Sequence, residues 1–345
     1  MSVKEQVLLL LEENKGTPIS GEDIASQLGC TRASVWKAVK SLQSSGYMVE
    51  AVTNKGYTLK SSPDMLSEAY INEKVSAAGV EAIIDVRRCV DSTNNVLKLM
   101  AVDASVNNII SKNTGTVIPR VCISEEQTAG KGRRGRSFYS PKDTGIYISF
   151  LLHPDIQVSE AAMYTTIAAT AEAIAIERVS GLPVDIKWVN DIWMRGKKVS
   201  GILTEASTSI EDGSLEYVVV GIGINLYEPN GGFPDEIKDI AGSVYEDSTP
   251  IENLRNRIAS ELIIQFLTYY NLGINDSAFL SDYEKRCFVI GKDVEITSAD
   301  HNSINGDGSN PIVHVLGIND KCHLHVRFED GHEEYLSGGE ISVKL

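Results

Sequence analysis

The sequence predicts a multidomain α+β chain, and three observations carry that class. Apolar residues recur at helical spacing through the first 45 positions and are followed by two strand-like runs around a polar turn. From 63 to 287, strands and helices alternate, with tight turns between several of the strands. From 288 onward the chain breaks into short alternating strands parted by Gly, Asn and Asp. A length of 345 residues leaves room for two or three such units, and the average apolar (42%) and charged (23%) fractions mark a globular chain rather than a disordered one. No apolar stretch approaches the ~20 residues of a membrane span, and Lys4 and Glu5 lead only into a short apolar run broken by Glu12, so neither a membrane segment nor a signal peptide is expected. Cys30, Cys89, Cys122, Cys287 and Cys322 are odd in number and scattered, which fits a reducing, cytoplasmic setting.

Residues 1–62 read as a DNA-binding module. Val3, Val7, Leu10 and Leu11 form one helical stripe, which Thr17-Pro18-Ile19 ends. Ser20 caps a second helix, with Asp23 three residues on, and Gly29 stands where that helix stops. Thr31 caps a third, with Val35, Val39 and Leu42 inward and Gly46 at its end. Two short helices joined around a glycine make a helix-turn-helix, and the strands around Asn54-Lys55-Gly56 add a wing. The outward residues Arg32, Ser34, Lys37 and Lys40 are the expected DNA contacts. Residues 1–60 carry seven Lys and Arg against six Asp and Glu, a net of +1, so the other 285 residues hold −16 of the total −15. The DNA-reading part is thus the least acidic, but weakly enough that a dimer on two half-sites is expected.

Ser61-Ser62-Pro63-Asp64 is turn-rich and marks the first boundary. Beyond it, strands are expected at Ile83–Val90, Val117–Ile123, Ile146–Leu152, Lys187–Met194, Lys197–Glu205 and Tyr217–Asn225. Helices are expected at Asn95–Val102 and from about Ser159 to Ser180, with turns at Arg195-Gly196 and Glu211-Asp212-Gly213. That is a layered α/β domain around a mixed, largely antiparallel sheet. Its most informative stretch runs from Gly130 to Arg136, where three glycines alternate with Lys131, Arg133, Arg134 and Arg136. Mobile backbone amides and four cations make an anion cradle, suited to two or more phosphates. The spacing matches G-x-G-x-x-G, yet the strand-like Val121-Cys122-Ile123 ends well before Gly130 and no apolar helix opens after Gly135, so a dinucleotide fold is not implied. There is no G-x-x-x-x-G-K-[ST] and no kinase partner motif. A solvated basic loop remains open on spacing alone.

Three clusters accompany the loop. Asp91-Ser92-Thr93-Asn94-Asn95 sets short polar groups at a helix start, which an ordinary cap also explains. Lys187-Trp188-Val189-Asn190-Asp191 precedes the hairpin Lys197-Lys198-Val199-Ser200-Gly201-Ile202-Leu203, which a plain surface hairpin also explains. Gly221-Ile222-Gly223-Ile224-Asn225 is an apolar strand with one face bare of side chains, suited to a bulge or to a flat ligand.

In this order, D-S-T-N, G-K-G-R-R-G-R, K-W-V-N-D, K-K-V-S-G-I-L and G-I-G-I-N resemble the biotin–protein ligases. With the N-terminal module, the chain is similar over its whole length to the bifunctional ligase and biotin operon repressor. Two positions depart: Lys131 stands for the usual arginine and loses its two-pronged geometry, and Val189 stands for the usual proline. The resemblance implies a class II synthetase-like domain over 63–287 that forms biotinoyl-5′-AMP from biotin and ATP with Mg²⁺. It then passes biotin to a lysine of a biotin carboxyl carrier protein. It implies that Ser92, Thr93, Asn94 and Gln127 hold biotin, and that Lys131, Gly132 and Arg133 close over biotin and adenylate. Arg134, Arg136, Asn190 and Asn225 are then nucleotide contacts, and Lys198, Arg133 and Asp191 serve the reacting centre. Biotinoyl-AMP is the implied corepressor, promoting a homodimer on operator DNA.

Residues 288–345 read as an SH3-like β-barrel from Val289–Ile296, Ile312–Ile318, Cys322–Phe328 and Glu333–Leu336, with a long polar turn over 300–310. Cys322, His323 and His325 have no remote ligand pair, so no metal site is expected. A lipoate ligase would share the adenylate chemistry, and a pure repressor the first domain; neither accounts for both the wing and the basic loop with Lys198.

Overall fold

The computed structural model describes residues 2–44, 47–52, 55–61, 64–103, 108–209, 211, 213–296, 310–338 and 341–343. Gly46, Asn54, Ser62, Pro63, Asp212 and the 300–309 part of the polar turn, all singled out above, lie outside them. The chain forms two compact units, residues 1–79 with 249–260, and residues 80–248 with 261–345. The expected divisions after 62 and after 287 each fall inside one of these units.

In the first unit, α1 (Val3–Glu13), α2 (Gly21–Gln27) and α3 (Arg32–Ser44) precede the antiparallel pair β1 (Met48–Val52) and β2 (Gly56–Ser61). Ser2 with Glu5 makes a capping box on α1, Ser20 accepts from Asp23 N, and Thr31 accepts from Ser34 N. Each satisfies an amide that the first helical turn leaves unpaired. Val7, Leu11, Ile24, Val35, Val39, Leu42 and Leu59 form the core. The helix α4 (Glu68–Ala77), which no sequence signal announced, starts at Ser67. Asp64 and Arg255 form a buried ion pair, 1% and 3% exposed at their side chains, and Asn256 accepts from Ser67 N at 2.7 Å.

The second unit is built on a seven-stranded mixed sheet. Its strands are β3 (Ile83–Arg87), β4 (Arg120–Ser124), β5 (Gly145–Leu152), β6 (Asp185–Lys187), β7 (Asp191–Met194), β8 (Lys197–Thr208) and β9 (Leu215–Asn225), in the order β3-β4-β5-β9-β8-β7-β6. Only β3 and β4 are parallel. The helix α5 (Thr93–Val102) follows β3, and α6 (Met163–Ser180) is buried continuously from Met163 to Ile176. The Ala-rich sequence of α6 suits that position, since small side chains let a helix press close to a sheet. The stretch 187–194, expected as one strand, is instead the hairpin β6–β7 with a turn at 188–190, where the Trp188–Val189 peptide is cis.

Two further helices without a sequence forecast are α7 (Leu254–Leu272) and α8 (Ala278–Arg286). The first residues of α7 belong with the first unit and the rest with the second. There, Phe266 packs on Phe150 of β5 with ring centroids 4.3 Å apart. The chain closes in an antiparallel five-stranded sheet of β10 (Asp293–Ile296), β11 (Ile312–Ile318), β12 (Leu324–Phe328), β13 (Glu333–Leu336) and β14 (Ile341–Val343), ordered β13-β12-β11-β10-β14. Trp188 Nε1 donates to Cys322 O at 3.0 Å, which anchors the β6–β7 turn.

Candidate active site

The basic loop folds back on itself as a narrow hairpin. Gly132 N donates to Arg136 O at 2.7 Å and Phe138 N to Gly130 O at 2.9 Å, with a tight turn over Arg133–Gly135 at the tip. A Cβ on Gly130 would stand 2.4 Å from Phe138 O, so the two arms approach as only glycine allows. Two cations hold the loop to its neighbours: Lys131 Nζ donates to Asn95 Oδ1 on α5 at 2.6 Å, and Arg133 Nη1 to Asn190 Oδ1 at 2.9 Å. Asn95 in turn donates to Asp91 at 2.6 Å, and that bond, with the Lys131 charge nearby, holds the Asp91 carboxyl below its ordinary range.

Beneath one arm lies a buried polar network. Ser92 sits at the N-cap position of α5 but makes no side-chain cap bond, so capping does not account for the polar string there. Gln127 Oε1 accepts from Thr93 N at 2.9 Å and lies 3.1 Å from Thr93 Oγ1, while Gln127 Nε2 donates to Ser140 Oγ at 3.0 Å. Ser149 Oγ lies 2.7 Å from Thr93 Oγ1 and 2.6 Å from Asn94 Oδ1. Asn94 Nδ2 donates to Glu205 at 2.8 Å, and Lys98 pairs with the same carboxylate. Burial pushes Glu205 up, but the hydrogen bonds from Lys98 and Asn94 outweigh it and leave this carboxyl below its usual range. The bare face of β9 is filled from within the chain. A methyl on Gly221 would stand 2.1 Å from Asn94 Oδ1, and one on Gly223 2.5 Å from the Phe138 ring.

Ser92, Thr93, Asn94, Gln127 and Lys131 line a recess of only about 20 Å³, room for about one water molecule, with the Phe138 ring on its wall against Gly223. The recess shares Lys131, Phe138, Gly201 and Leu203 with a larger cleft of about 370 Å³. Gly132, Arg133, Arg136, Asn190, Asp191 and Lys198 all line that cleft, with Trp188 and Trp193. Lys198 Nζ stands 2.6 Å from Asp191 Oδ1, and both side chains are well covered, at 30% and 21% exposed. A bulge between β7 and β8 next to Lys198 shifts the register. Bulges of this kind re-aim a side chain beside a site, and here Lys198 Nζ passes 3.2 Å from where a Gly201 Cβ would be. The backbone of Lys198 is fixed on both sides, by Ile240 O at 2.8 Å and Gly242 N at 2.8 Å.

The site residues read from sequence therefore gather in one place, apart from Arg134 and Asn225, which line neither cavity. Asn225 donates to Gly242 O at 3.1 Å and so holds the segment that pins Lys198. Sequence reasoning missed Phe138, Ser140, Ser149 and Glu205. Phe138 alone had a signal, as the bulky residue next to the glycine–cation run.

On α3, Arg32, Lys37 and Lys40 are exposed, whereas Ser34 is half-buried and bonded to Thr31 Oγ1 at 2.9 Å. The same face carries Trp36, 53% exposed, which sequence reasoning passed over.

Fold and site fit a carboxylate-activating ligase carrying a DNA-reading module. Residues 86–225 match the biotin/lipoate A/B protein ligase family, and residues 3–58 a helix-turn-helix domain. The bifunctional ligase/repressor BirA of Bacillus subtilis (strain 168) is 36% identical over 243 residues, 70% of this chain and 71% of that protein. Its Escherichia coli (strain K12) namesake is 27% identical over 330 residues, 94% and 92% of the two chains. A biotin protein ligase from Aquifex aeolicus, solved in complex with biotin and ATP, is similar in fold with a TM-score of 0.56 at 23% identity, covering 76% of this chain and 98% of that one. The chain belongs to the family of bifunctional biotin ligase/repressors.

Proposed function

We propose that this protein condenses biotin with ATP, transfers biotin to a lysine of a biotin carboxyl carrier protein, and represses biotin genes as an adenylate-bound homodimer on operator DNA. The observation that carries the ligase half is the meeting of two cavities at the basic loop, with Lys198 on the wall of the larger. A biotin carboxylate oxygen forms a bond to the α-phosphorus of ATP as the bond to the bridging oxygen breaks and pyrophosphate leaves. Two anions have to approach, so fixed cations and oriented amides matter more than an acid or base. Lys198 neutralises charge between carboxylate and phosphate, with Asp191 holding it in place. Arg133, Arg136 and Lys131 cover the product, with Gly132 and Asn190 shaping that cover. Arg134 stands near enough along the loop to meet the phosphates as the tip moves, and Asn225 acts through Gly242. The uncharged acceptor lysine then attacks the mixed anhydride, and AMP leaves with its electron pair.

Ser92, Thr93, Asn94 and Gln127 take the biotin head, and Phe138 turns aside to admit it. Mg²⁺ enters with the nucleotide. Among the described residues no three His, Cys, Asp or Glu side chains gather as a metal cage. Asp191 and Asn190 are the residues placed to help with that nucleotide. No helix among the described residues is long and apolar enough to cross a membrane; the five cysteines are free thiols, as a reducing compartment such as the cytoplasm keeps them.

On the DNA side, Arg32, Lys37 and Lys40 meet phosphates and bases, Ser34 stabilises the start of α3, and Trp36 reads bases. The layout by function is a DNA module over 1–62, a catalytic domain over 63–287 and a C-terminal domain over 288–345. Incubation with ATP and labelled biotin or lipoate tests the reading: biotinoyl-AMP supports it, lipoyl-AMP points to a lipoate ligase, and no adenylate leaves only a repressor.

A further inference from the structure

Glu172 lies in the buried run of α6 with none of its surface exposed, and neither carboxylate oxygen has a hydrogen-bond partner among the described residues. It is the one acidic residue in the stretch Met163–Ile176, otherwise apolar, small or hydroxyl-bearing. A carboxyl in such surroundings weakens the fold, so stability does not account for it. Its surroundings indicate what does. Ser200, itself fully buried and likewise without a hydrogen bond of good geometry, lies close enough to favour the ionised carboxyl. Ser200 lies two residues along β8 from Lys198 and pairs with Ile192, the residue after Asp191. Glu172 thus stands behind the strand pair that presents Lys198 and Asp191 to the cleft, close enough to feel the charge of both.

We propose that Glu172 is a positioning residue for the Lys198–Asp191 pair, which meets the two anionic substrates in full strength only while Glu172 carries its proton. This rests on the ligase reading above. With Glu172 neutral, the ion pair is balanced, and Lys131, Arg133 and Arg136 leave the cleft attractive to anions. Ionised, Glu172 sets a second carboxylate against one ammonium in a place where water screens little. Lys198 is then drawn back, and carboxylate and phosphate meet a less positive wall. Burial pushes the Glu172 carboxyl up to about 8, with Asp191 adding to that and Ser200 and Lys198 opposing it. Other charged groups on elements packed against α6 are engaged elsewhere: on α8 Arg286 pairs with Glu177 and Lys285 with Asp282, and on β8 Glu205 pairs with Lys98 and Lys197 donates to Asp239 O. Tyr283 on α8 and the Cys287 and Cys322 thiols are all pushed up by burial and stay neutral. Asp185 on β6 is exposed, and Lys187 lies over the Trp193 ring.

Two measurements test this. The KM for ATP and for biotin in adenylate formation, followed from pH 7 to 9, should rise about tenfold in the native protein as Glu172 ionises, with kcat changing little, because bound anions restore the proton. The Glu172→Gln variant cannot ionise, so its KM values should stay level over that range. Binding of ATP to the native protein at pH 8, followed by calorimetry in two buffers of different ionisation heat, should take up a fraction of a proton. This second measurement needs no variant, and it decides the matter if Glu172→Gln folds poorly. Equal KM rises in both proteins, or ATP binding without proton uptake, would overturn the proposal. A native protein that forms no adenylate at pH 7 would instead overturn the ligase reading itself.

Stability gives an independent sign. The unfolded chain ionises Glu172 around its ordinary 4.5, whereas the folded protein does so only near 8. Folding therefore holds a proton between those values, and the cost of this residue grows from pH 4.5 upward and levels off above 8. Glu172→Met should raise the melting temperature at pH 7 more than at pH 4; an equal effect at both would argue against a buried ionisable group.

Discussion

Lys198 concentrates most of what the site needs in one ammonium group. Its backbone is held on both sides by the 240–242 segment, its Nζ is paired with Asp191, and the neighbouring bulge aims it along the surface left open by Gly201. A side chain fixed this way pays little conformational entropy when two anions arrive. Lys198→Ala should lower adenylate formation by about a hundredfold or more, the size seen when one stabilising group is removed from a developing charge. The melting temperature should move little, since the side chain lines an open cleft and its loss leaves no core cavity. Pyrophosphate release checks the first expectation and thermal melting the second; a near-normal rate would remove Lys198 from the reacting centre.

Among the elements, the basic loop is distinctive for having two latches of its own. The Lys131–Asn95 bond ties it to α5, and the Arg133–Asn190 bond ties it to the β6–β7 turn. Charge-assisted bonds of this kind are each worth about 1.5–3 kcal/mol when sheltered, and less at an exposed position such as Lys131. Asn95→Ala should therefore speed release of biotinoyl-AMP into solution roughly threefold to tenfold, with its rate of synthesis nearly kept. An unchanged release rate would mean that this latch does not govern the loop. On α3, an exposed indole between Arg32 and Lys40 has no packing role to explain it. Trp36→Ala should lower affinity for operator DNA about tenfold or more while hardly affecting random DNA, as loss of a base contact does. Lys37→Ala should instead weaken both and reduce the salt slope. Equal losses on the two DNAs for Trp36→Ala would make it a phosphate-side or structural residue.

These elements were legible in the chain to the extent that their signals are local. Ser20 with Asp23, Thr31, the glycine–cation run and the D-S-T-N string each state their structure within a few residues. The turn at 188–190 was not legible, because it contains neither glycine nor proline and its one turn-forming residue, Asn190, is set among apolar, strand-favouring neighbours. Ser149 and Glu205 reach the network from strands 55 and 111 residues beyond Asn94, and a serine or glutamate in a strand carries no mark of such a partner. The helices α4 and α7 meet in the first unit through Ser67 and Asn256, a pairing of residues 189 positions apart that no period in the sequence encodes.

For the molecule as a whole, ligand state and DNA binding should be linked. Ligand contacts clamp the loop more firmly than its two latches alone, and they offset an ordering cost of order 1 kcal/mol per residue. A partner subunit docking beside an ordered loop no longer bears that cost. Biotinoyl-AMP, more than biotin, should then strengthen both self-association and operator binding, by a coupling of roughly 1–3 kcal/mol, and dimerisation should tighten adenylate binding by the same factor. Sedimentation with and without adenylate, paired with operator titration at fixed salt, measures both; indifference of both constants would leave a ligase without a ligand-controlled repressor.

The buried pairing of Asp64 with Arg255 has a consequence for how this DNA-binding unit can be separated from the rest. Arg255 and Asn256 reach it from far along the chain, so a gene fragment ending at residue 79 would encode the helices and wing but not the groups that hold Asp64 and Ser67. Such a fragment would leave Asp64 with no guanidinium to meet and Ser67 N without its side-chain acceptor. In ribosomal order, too, the unit stays incomplete until residue 260 has been made, long after its three helices have emerged. Cutting the unit off cleanly therefore means removing the first turn of α7 as well, because Arg255 and Asn256 belong to it.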